Sequence, residues 1–444
     1  MSAVMERERE RRFDWPVCYE AENWVLEQLE AFCGRDPFLR ALRNRMRDET
    51  GTLLIDWVDH LVVSPRHESN LRPLGYTDDE LGLWHPEAML PRVLLREGQS
   101  RLAIRVDSIA DFAAAHSINA ELEGDPFSRL RCVVVTPCLH AIERRGYRGY
   151  EFGKHTGDSL KAVLRAFELW RTRPRNTDDF APSLAVLDRI IAMVGRDMAC
   201  HIVFAEERAY WERRNRAGQV QKKRQDDLGL GWANHDHHTF RSSRERFLDL
   251  MQALENLGFE RRERYYAGAQ AGWGAQILEQ PIEGIVAFCD VDLEPEETEI
   301  DFSRRRLAPS KKLGTIGLWV GLHGESFLLA GMHHLECRFD HALLRDQLAA
   351  HQVNTMKPFS DFPFLKQAFT EGERWPVRRE RAERLLHAGL ITDAQFREFT
   401  TQGAIGSHLE NLQRKGGFKG FNQKSVSAII QATDPRSQPA SAHA

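Results

Sequence analysis

The chain has 444 residues, 42% hydrophobic and 28% charged, with a formal net charge of −4. That length supports two or three domains with filled cores, and the composition excludes wholesale disorder. So small a net charge gives no general attraction to nucleic acid or to an anionic membrane, and neither is expected as a partner.

The opening "MSAVMERERERRFDW" is charged from its sixth residue and offers no signal-peptide core. Later apolar runs such as "LAVLDRIIAMV" are too short and too interrupted to span a bilayer. Cys18, Cys33, Cys132, Cys138, Cys200, Cys289 and Cys337 are odd in number and scattered, with no CxxC pair. Reduced thiols and a cytoplasmic location are the expectation.

In chain order, residues 1–50 read as an N-terminal helical segment, because "ENWVLEQLEAFCGRDPFLRALRNRM" is amphipathic at helical spacing. From Gly51 short β-rich runs bounded by Pro, Gly and charges take over: "TLLIDWVDHLVVSP", "AMLPRVLLREG", "RLAIRVDSI" and "RLRCVVVTP". A helix "SIADFAAAHSI" starts near Asp107 or Ser108. The patterning is α+β, and 51–155 is assigned to one domain. Residues 156–228 are helical again and read as a linker. Within them "KKRQDD" is a solvated helix end, its basic side chains balanced by Asp226 and Asp227.

A second β-rich region runs over 229–432. "NHDHHTFRSS" reads as a strand, and the helix "RERFLDLMQALENLGF" follows it, N-capped by Ser242 or Ser243. "RERYYAGAQ", "GWGAQILEQP", "GIVAFCDVDL" and "GTIGLWVGLHG" read as further strands. A second strand-helix pair, "GMHHLECRF" and "DHALLRDQLAAHQVN", precedes a helical insertion and "GSHLENLQRKGGFKGF". The plan is therefore stated twice: a His-bearing strand, a helix, then more strands. This predicts tandem βαβββ modules curled around a concave face. A last amphipathic helix, 422–432, is a lid candidate, and 433–444 reads as a disordered tail.

Alternate side chains of a strand share a face. His235, His237, Thr239 and Arg241 are thus expected on one side, with Asp236, His238 and Phe240 on the other. In "HHLECR", His334, Glu336 and Arg338 go together and His333 is reversed. In "HLENLQR", Glu410, Leu412 and Arg414 share a face. Three strands each present a candidate ligand, with an arginine four residues beyond. Two imidazoles and one carboxylate suit non-haem Fe(II), because they leave open positions for a bidentate substrate and O₂. An inward arginine holds a carboxylate through paired hydrogen bonds that lysine does not reproduce. The clustered His235, His237 and His238, and the pair His333 and His334, leave the choice of ligand open at this level.

"DHHTFR" (236–241) and "HHLECRFD" (333–340) resemble the two strand motifs of the 2-oxoadipate dioxygenase/decarboxylase family, with His333 standing where that family has asparagine. "HLENLQRKGGFKGFNQKSVSAIIQA" (408–432) resembles the terminal strand and helix of the 4-hydroxyphenylpyruvate dioxygenases. Both belong to the vicinal-oxygen-chelate superfamily, and the resemblance spans roughly 229–432. It implies His237, His334 and Glu410 as metal ligands, and Arg241 on a substrate carboxylate. Arg338 is then a second catalytic candidate, with Thr239 and Arg414 as further substrate contacts.

The expected function is a non-haem Fe(II) dioxygenase acting on a small carboxylate or 2-oxo acid with O₂, by oxidative decarboxylation and hydroxylation. One alternative is the same site loaded with Zn, Mn or Ni for isomerase, lyase or hydrolase chemistry. Another is a non-catalytic binding protein. "WVDHLVVSP" (57–65) also looks like a first strand of this fold, and its His60 has no visible partner ligand, as in a degenerate copy without metal. The helical stretches 20–47 and 156–228 offer surfaces for a homodimer.

Overall fold

Asp36 divides the first helical run in two. The computed structural model describes residues 15–145, 157–266, 272–310, 312–420 and 434–436. It places helices over Tyr19–Arg35 and Pro37–Thr50. Asp36 is extended (φ −120°, ψ 105°), and its carboxylate accepts from the amides of Phe38 and Leu39 at 2.9 and 3.2 Å. Pro37 at the first helical position needs no amide partner, so this N-cap forms readily. Both helices lay Trp24, Val25, Phe32, Leu39, Leu42 and Met46 into one core with the strands that follow.

Those strands are β1 (Val58–Val63), β2 (Thr77–Asp79), β3 (Gly82–Trp84), β4 (Arg92–Leu95), β5 (Arg101–Arg105), β6 (Leu122–Glu123), β7 (Leu130–Thr136) and β8 (Leu139–Arg144). They form one sheet in the order β2-β3-β4-β1-β5-β8-β7-β6. β1 runs parallel to β4 and antiparallel to β5, and β5 runs parallel to β8. Helix Glu68–Leu71 follows β1, and helix Ile109–Ala115 follows β5. The Ser108 hydroxyl caps the latter by accepting from the Asp111 amide. Two βαβββ modules therefore already lie side by side in the first half.

The second half repeats the plan with β9 (His235–Arg241), β10 (Glu260–Tyr266), β11 (Trp273–Gln280), β12 (Ile285–Asp292), β13 (His334–Arg338), β14 (Ser360–Phe362), β15 (Leu365–Phe369), β16 (Glu373–Trp375) and β17 (Ala404–Arg414). The order is β10-β11-β12-β9-β13-β17-β15-β14, with β16 pairing off this path onto β17. Helices Phe247–Asn256 and His341–Ala349 occupy the helical slot of each module. The first strands of the two modules, β9 and β13, meet antiparallel at the centre of the sheet. This is the tandem βαβββ architecture that the doubled strand-helix order predicts. It brings residues about a hundred positions apart, such as His237 and Glu336, into adjacent strands.

One predicted strand is a helix: "GTIGLWVGLHG" folds as Thr315–His323. A short, continuously apolar run does not distinguish strand from helix by period. Tertiary contact decides here, because the Asp292 carboxylate at the end of β12 accepts from the amides of Ile316 and Gly317 at the helix start. Helix Phe247–Asn256 begins later than expected. Ser243 accepts from the Arg246 amide, and Ser242 instead donates to Glu325.

The segment read as a linker contains helices Gly157–Thr172, Ala181–Val194, Arg196–Glu212 and Arg216–Asp226. They share one core with the outer face of the second sheet. Phe204 packs against His238, Phe240, Phe259 and Phe327 at ring distances of 5.1–6.1 Å. The lid candidate 422–432 and all of 433–444 except 434–436 lie outside the described residues. Among the described residues no helix is long and apolar enough to cross a membrane.

Candidate metal centre

Register places the polar side chains of the second sheet in rows across its inner face. Glu336 stands opposite both His237 and Glu410. One row deeper, His334 stands opposite both Thr239 and His408. Arg241 follows a further row along, opposite Asp290 of β12. Partners in register point to the same side, so the face presents imidazoles and carboxylates in adjoining rows. The opposite face carries Phe240, Leu335, Cys337 and Leu409, all fully buried.

His237, His334 and Glu410 each offer a donor atom within 4.8 Å of the others. Nε2 of His334 lies 2.9 Å from Glu410 Oε2, and Nε2 of His237 lies 4.0 Å from the same oxygen. The other nitrogen of His237, Nδ1, lies 2.9 Å from Glu336 Oε1. Nδ1 faces that carboxylate, and Nε2 is the nitrogen turned toward His334 and Glu410. Gln367 donates to both acids, at 3.1 Å to Glu336 and 3.4 Å to Glu410. Phe288 covers the His237 ring at 4.3 Å, and Phe369 lies 5.1 Å from the His334 ring.

A β-bulge alters the expected faces. Glu336 pairs with His237 but Cys337 pairs with His235, so Asp236 is an extra residue in β9. Asp236 consequently joins His237, with 3.6 Å from its carboxylate to Nδ1. His235 turns away, to the Trp232 carbonyl and to the His238 ring at 5.2 Å. His238 contacts Arg208 and the Val286 carbonyl. His333 and His323 contact the carbonyls of Gly406 and Ile405. Of the clustered histidines on β9, only His237 reaches the acids.

Charge on this face is distributed in favour of a cation. Burial and then repulsion from Glu336 push the Glu410 carboxyl well above its usual range. Burial and then the charge of His237 hold His334 well below its usual value, so it is a neutral imidazole. For His237 burial acts downward, but the Glu336 and Asp236 carboxylates outweigh it and raise the ring to about 9. The site thus retains protons that a divalent cation would displace. Two imidazole nitrogens and a carboxylate, all buried and convergent, fit Fe(II), Zn(II), Mn(II) or Ni(II). Both groups of metal-capable side chains among the described residues lie on this sheet. In the first sheet His60 instead contacts Asp59 at 2.7 Å, and Asp59 pairs with Arg144.

No family model matches the chain, and no curated protein matches it. Among solved structures it is similar to a mutant of 4-hydroxymandelate synthase from Streptomyces coelicolor, at 12% identity over 86% of this chain and 100% of that one, TM-score 0.27. A xylose isomerase-like TIM barrel/4-hydroxyphenylpyruvate dioxygenase fusion protein is similar at 12% identity, over 89% of this chain and 56% of that one, TM-score 0.24. Methylmalonyl-CoA epimerase from Mycobacterium tuberculosis is similar at 12% identity, over 41% of this chain and 88% of that one, TM-score 0.23.

The remaining predicted residues surround the triad. The Thr239 hydroxyl lies 2.8 Å from His334 Nε2, the nitrogen a metal would take, so loading the site displaces that contact. Arg241 is 2% exposed, and its Nε and one Nη have no hydrogen-bond partner among the described residues. Its nearest acid, Asp290, is 3.8 Å away, beyond hydrogen-bond reach. Arg338 lies one row to the other side of Glu336, and its buried Nε also has no partner there. Arg414 donates to the Phe418 carbonyl at 3.1 Å and to Asp236 at 3.3 Å, tying down the chain that leaves β17. Glu336 and Asp236 were not singled out as site residues from the sequence. For Glu336 the signal was present in its i+2 spacing from His334.

Proposed function

We propose that this chain is a non-haem Fe(II)-dependent dioxygenase that acts in the cytoplasm on a carboxylate-bearing small molecule, a 2-oxo acid, with O₂. The observation that carries this reading is the convergence of His237, His334 and Glu410 within 4.8 Å. These three side chains would hold the iron, and the chemistry it would supply is oxidative decarboxylation and hydroxylation with O₂.

The chain's own residues have separable tasks. Glu336 holds the Nδ1 proton of His237 and fixes the direction of Nε2. Arg241, with unpartnered N–H groups on the same face, receives the substrate carboxylate in a paired hydrogen bond. Thr239, released from His334, is free to turn its hydroxyl to the substrate. Phe288 and Phe369 exclude water from the two imidazoles. Arg338 stands at the outer edge of the site, and Arg414 shapes that edge through Asp236.

A second reading draws on Glu336. Its carboxylate shares a row with Glu410, and Gln367 bridges the two. Glu336 also converges with Asp236 and His237 within 4.8 Å, and a cation held there would have one imidazole and two carboxylates. Zn(II), Mn(II) or Ni(II) then serves isomerase, lyase or hydrolase chemistry without O₂. Metal analysis combined with oxygen uptake over a panel of 2-oxo acids separates the readings. Iron with substrate-dependent uptake supports the dioxygenase, and metal-dependent turnover without uptake supports the second. Ligand binding that survives chelation without turnover makes the protein a binding module.

A further inference from the structure

His237 and Glu336 open onto a cavity of about 950 Å³ that lies between the two sheets. That volume is at the top of the roughly 300–1,000 Å³ range of small-molecule sites. A short 2-oxo acid bound at the triad would leave most of it without contacts. The opposite wall comes from the first half of the chain, where Val58, Trp84 and Leu90 are half-buried and face the cavity. Val286 and Phe288 continue the apolar lining on the side of the second sheet.

Several charges lining the cavity are answered within the protein, while Arg105, Arg338 and Lys419 line it with no ion pair among the described residues. Arg92 pairs with Asp79, Arg144 with Asp59, Arg262 with Glu279 and Arg414 with Asp236. A ligand body bearing several charges would have to break these pairs, whereas an apolar one needs only the surface between them. The polarity of the site also runs in one direction. Arg241 lies two rows beyond His237 on the side away from Arg338, and the cavity begins on the Arg338 side. An acid group directed at Arg241 therefore leaves the rest of its molecule pointing into the space between the sheets.

We propose that the ligand is an extended carboxylate, whose acid head sits at His237, His334 and Glu410 and whose alkyl or aryl body lies between the sheets against Val58, Trp84 and Leu90. The first half of the chain, with no metal set among its described residues, then measures substrate length. The position of the head rests on the metal reading above, and the cavity does not.

The test is calorimetry with two ligand series on the full chain. Straight-chain 2-oxo acids with side chains from methyl to octyl are titrated into Zn(II)-loaded protein, and saturated fatty acids of matching length into metal-stripped protein. Affinity is expected to rise about three- to fourfold per buried methylene in both series. Val58→Trp fills the cavity from the first half, and should abolish the rise while the shortest acid binds as before. Leu90→Trp serves the same purpose if that variant does not fold. Affinity independent of length, or a rise untouched in the folded variant, overturns the proposal. A protein that retains no metal but still shows the fatty-acid slope removes the dioxygenase reading and keeps the cavity inference. Iron-dependent oxygen uptake with no length dependence does the reverse.

Discussion

Glu336 Oε1 stands 2.9 Å from Nδ1 of His237, the ring nitrogen turned away from Glu410. With this contact on Nδ1, Nε2 is the nitrogen that faces Glu410. Glu336→Gln keeps the shape of the side chain but weakens its hold on the Nδ1 proton. Metal affinity should fall about 10–100-fold, the usual cost of losing an outer partner of a ligating histidine. Competition against a chromogenic chelator reads this directly. Complete loss of metal would instead make Glu336 a ligand, as the second reading requires.

Arg241→Lys should retain the metal and weaken binding of a 2-oxo acid by about 1–3 kcal/mol. Lysine keeps the charge but has no planar pair of donors to match a carboxylate. Calorimetry on metal-loaded protein gives the number, and unchanged affinity would show that the carboxylate binds elsewhere.

Glu325 gives a pH dependence with a definite sign. Its carboxylate accepts from Ser242 and Ser243 at 2.9 and 3.1 Å, and burial raises its pKa to about 7. A folded pKa above the unfolded value means that the folded state holds the proton more tightly. The associated stability is fully present below the unfolded value and is lost as pH rises through about 7. The loss should amount to about 3 kcal/mol. Glu325→Gln has no such proton, so wild type should weaken relative to the variant between about pH 5 and pH 8 in urea titrations. Parallel curves would contradict this.

The helical layer behind the site depends on Glu207, fully buried between Arg173 and Arg175 at 2.7 and 2.6 Å. Burial alone would raise its pKa, but the two guanidinium groups outweigh burial and lower it. Those arginines also donate to the carbonyls of Phe327 and Leu328, just before β13. Glu207→Ala leaves the buried Arg173 and the half-buried Arg175 with no acid between them, and should cost roughly 3–5 kcal/mol of stability. A urea denaturation midpoint close to wild type would argue that the cations find water instead.

The sequence made the periodic features legible. Alternation along β9, β13 and β17 assigned His237, His334 and Glu410 to inward faces, and the doubled strand-helix order gave the tandem modules. Local pattern failed where non-local contacts decide. The bulge at Asp236 exists because β13 is one residue short opposite β9, so two adjacent residues exchanged faces. Helix Thr315–His323 is uniformly apolar, and only the Asp292 carboxylate beneath its first amides marks it as helical. The inter-sheet cavity depends on how two remote halves meet, and no local run of residues encodes it.

The most direct measurement is elemental analysis of protein reconstituted anaerobically with Fe(II), comparing wild type with His237→Ala, His334→Ala and Glu410→Ala. Wild type should hold stoichiometric iron, and each variant, still folded by circular dichroism, should hold almost none. Wild-type iron content in any of the three, or no iron in wild type itself, would contradict a metal centre built from these side chains.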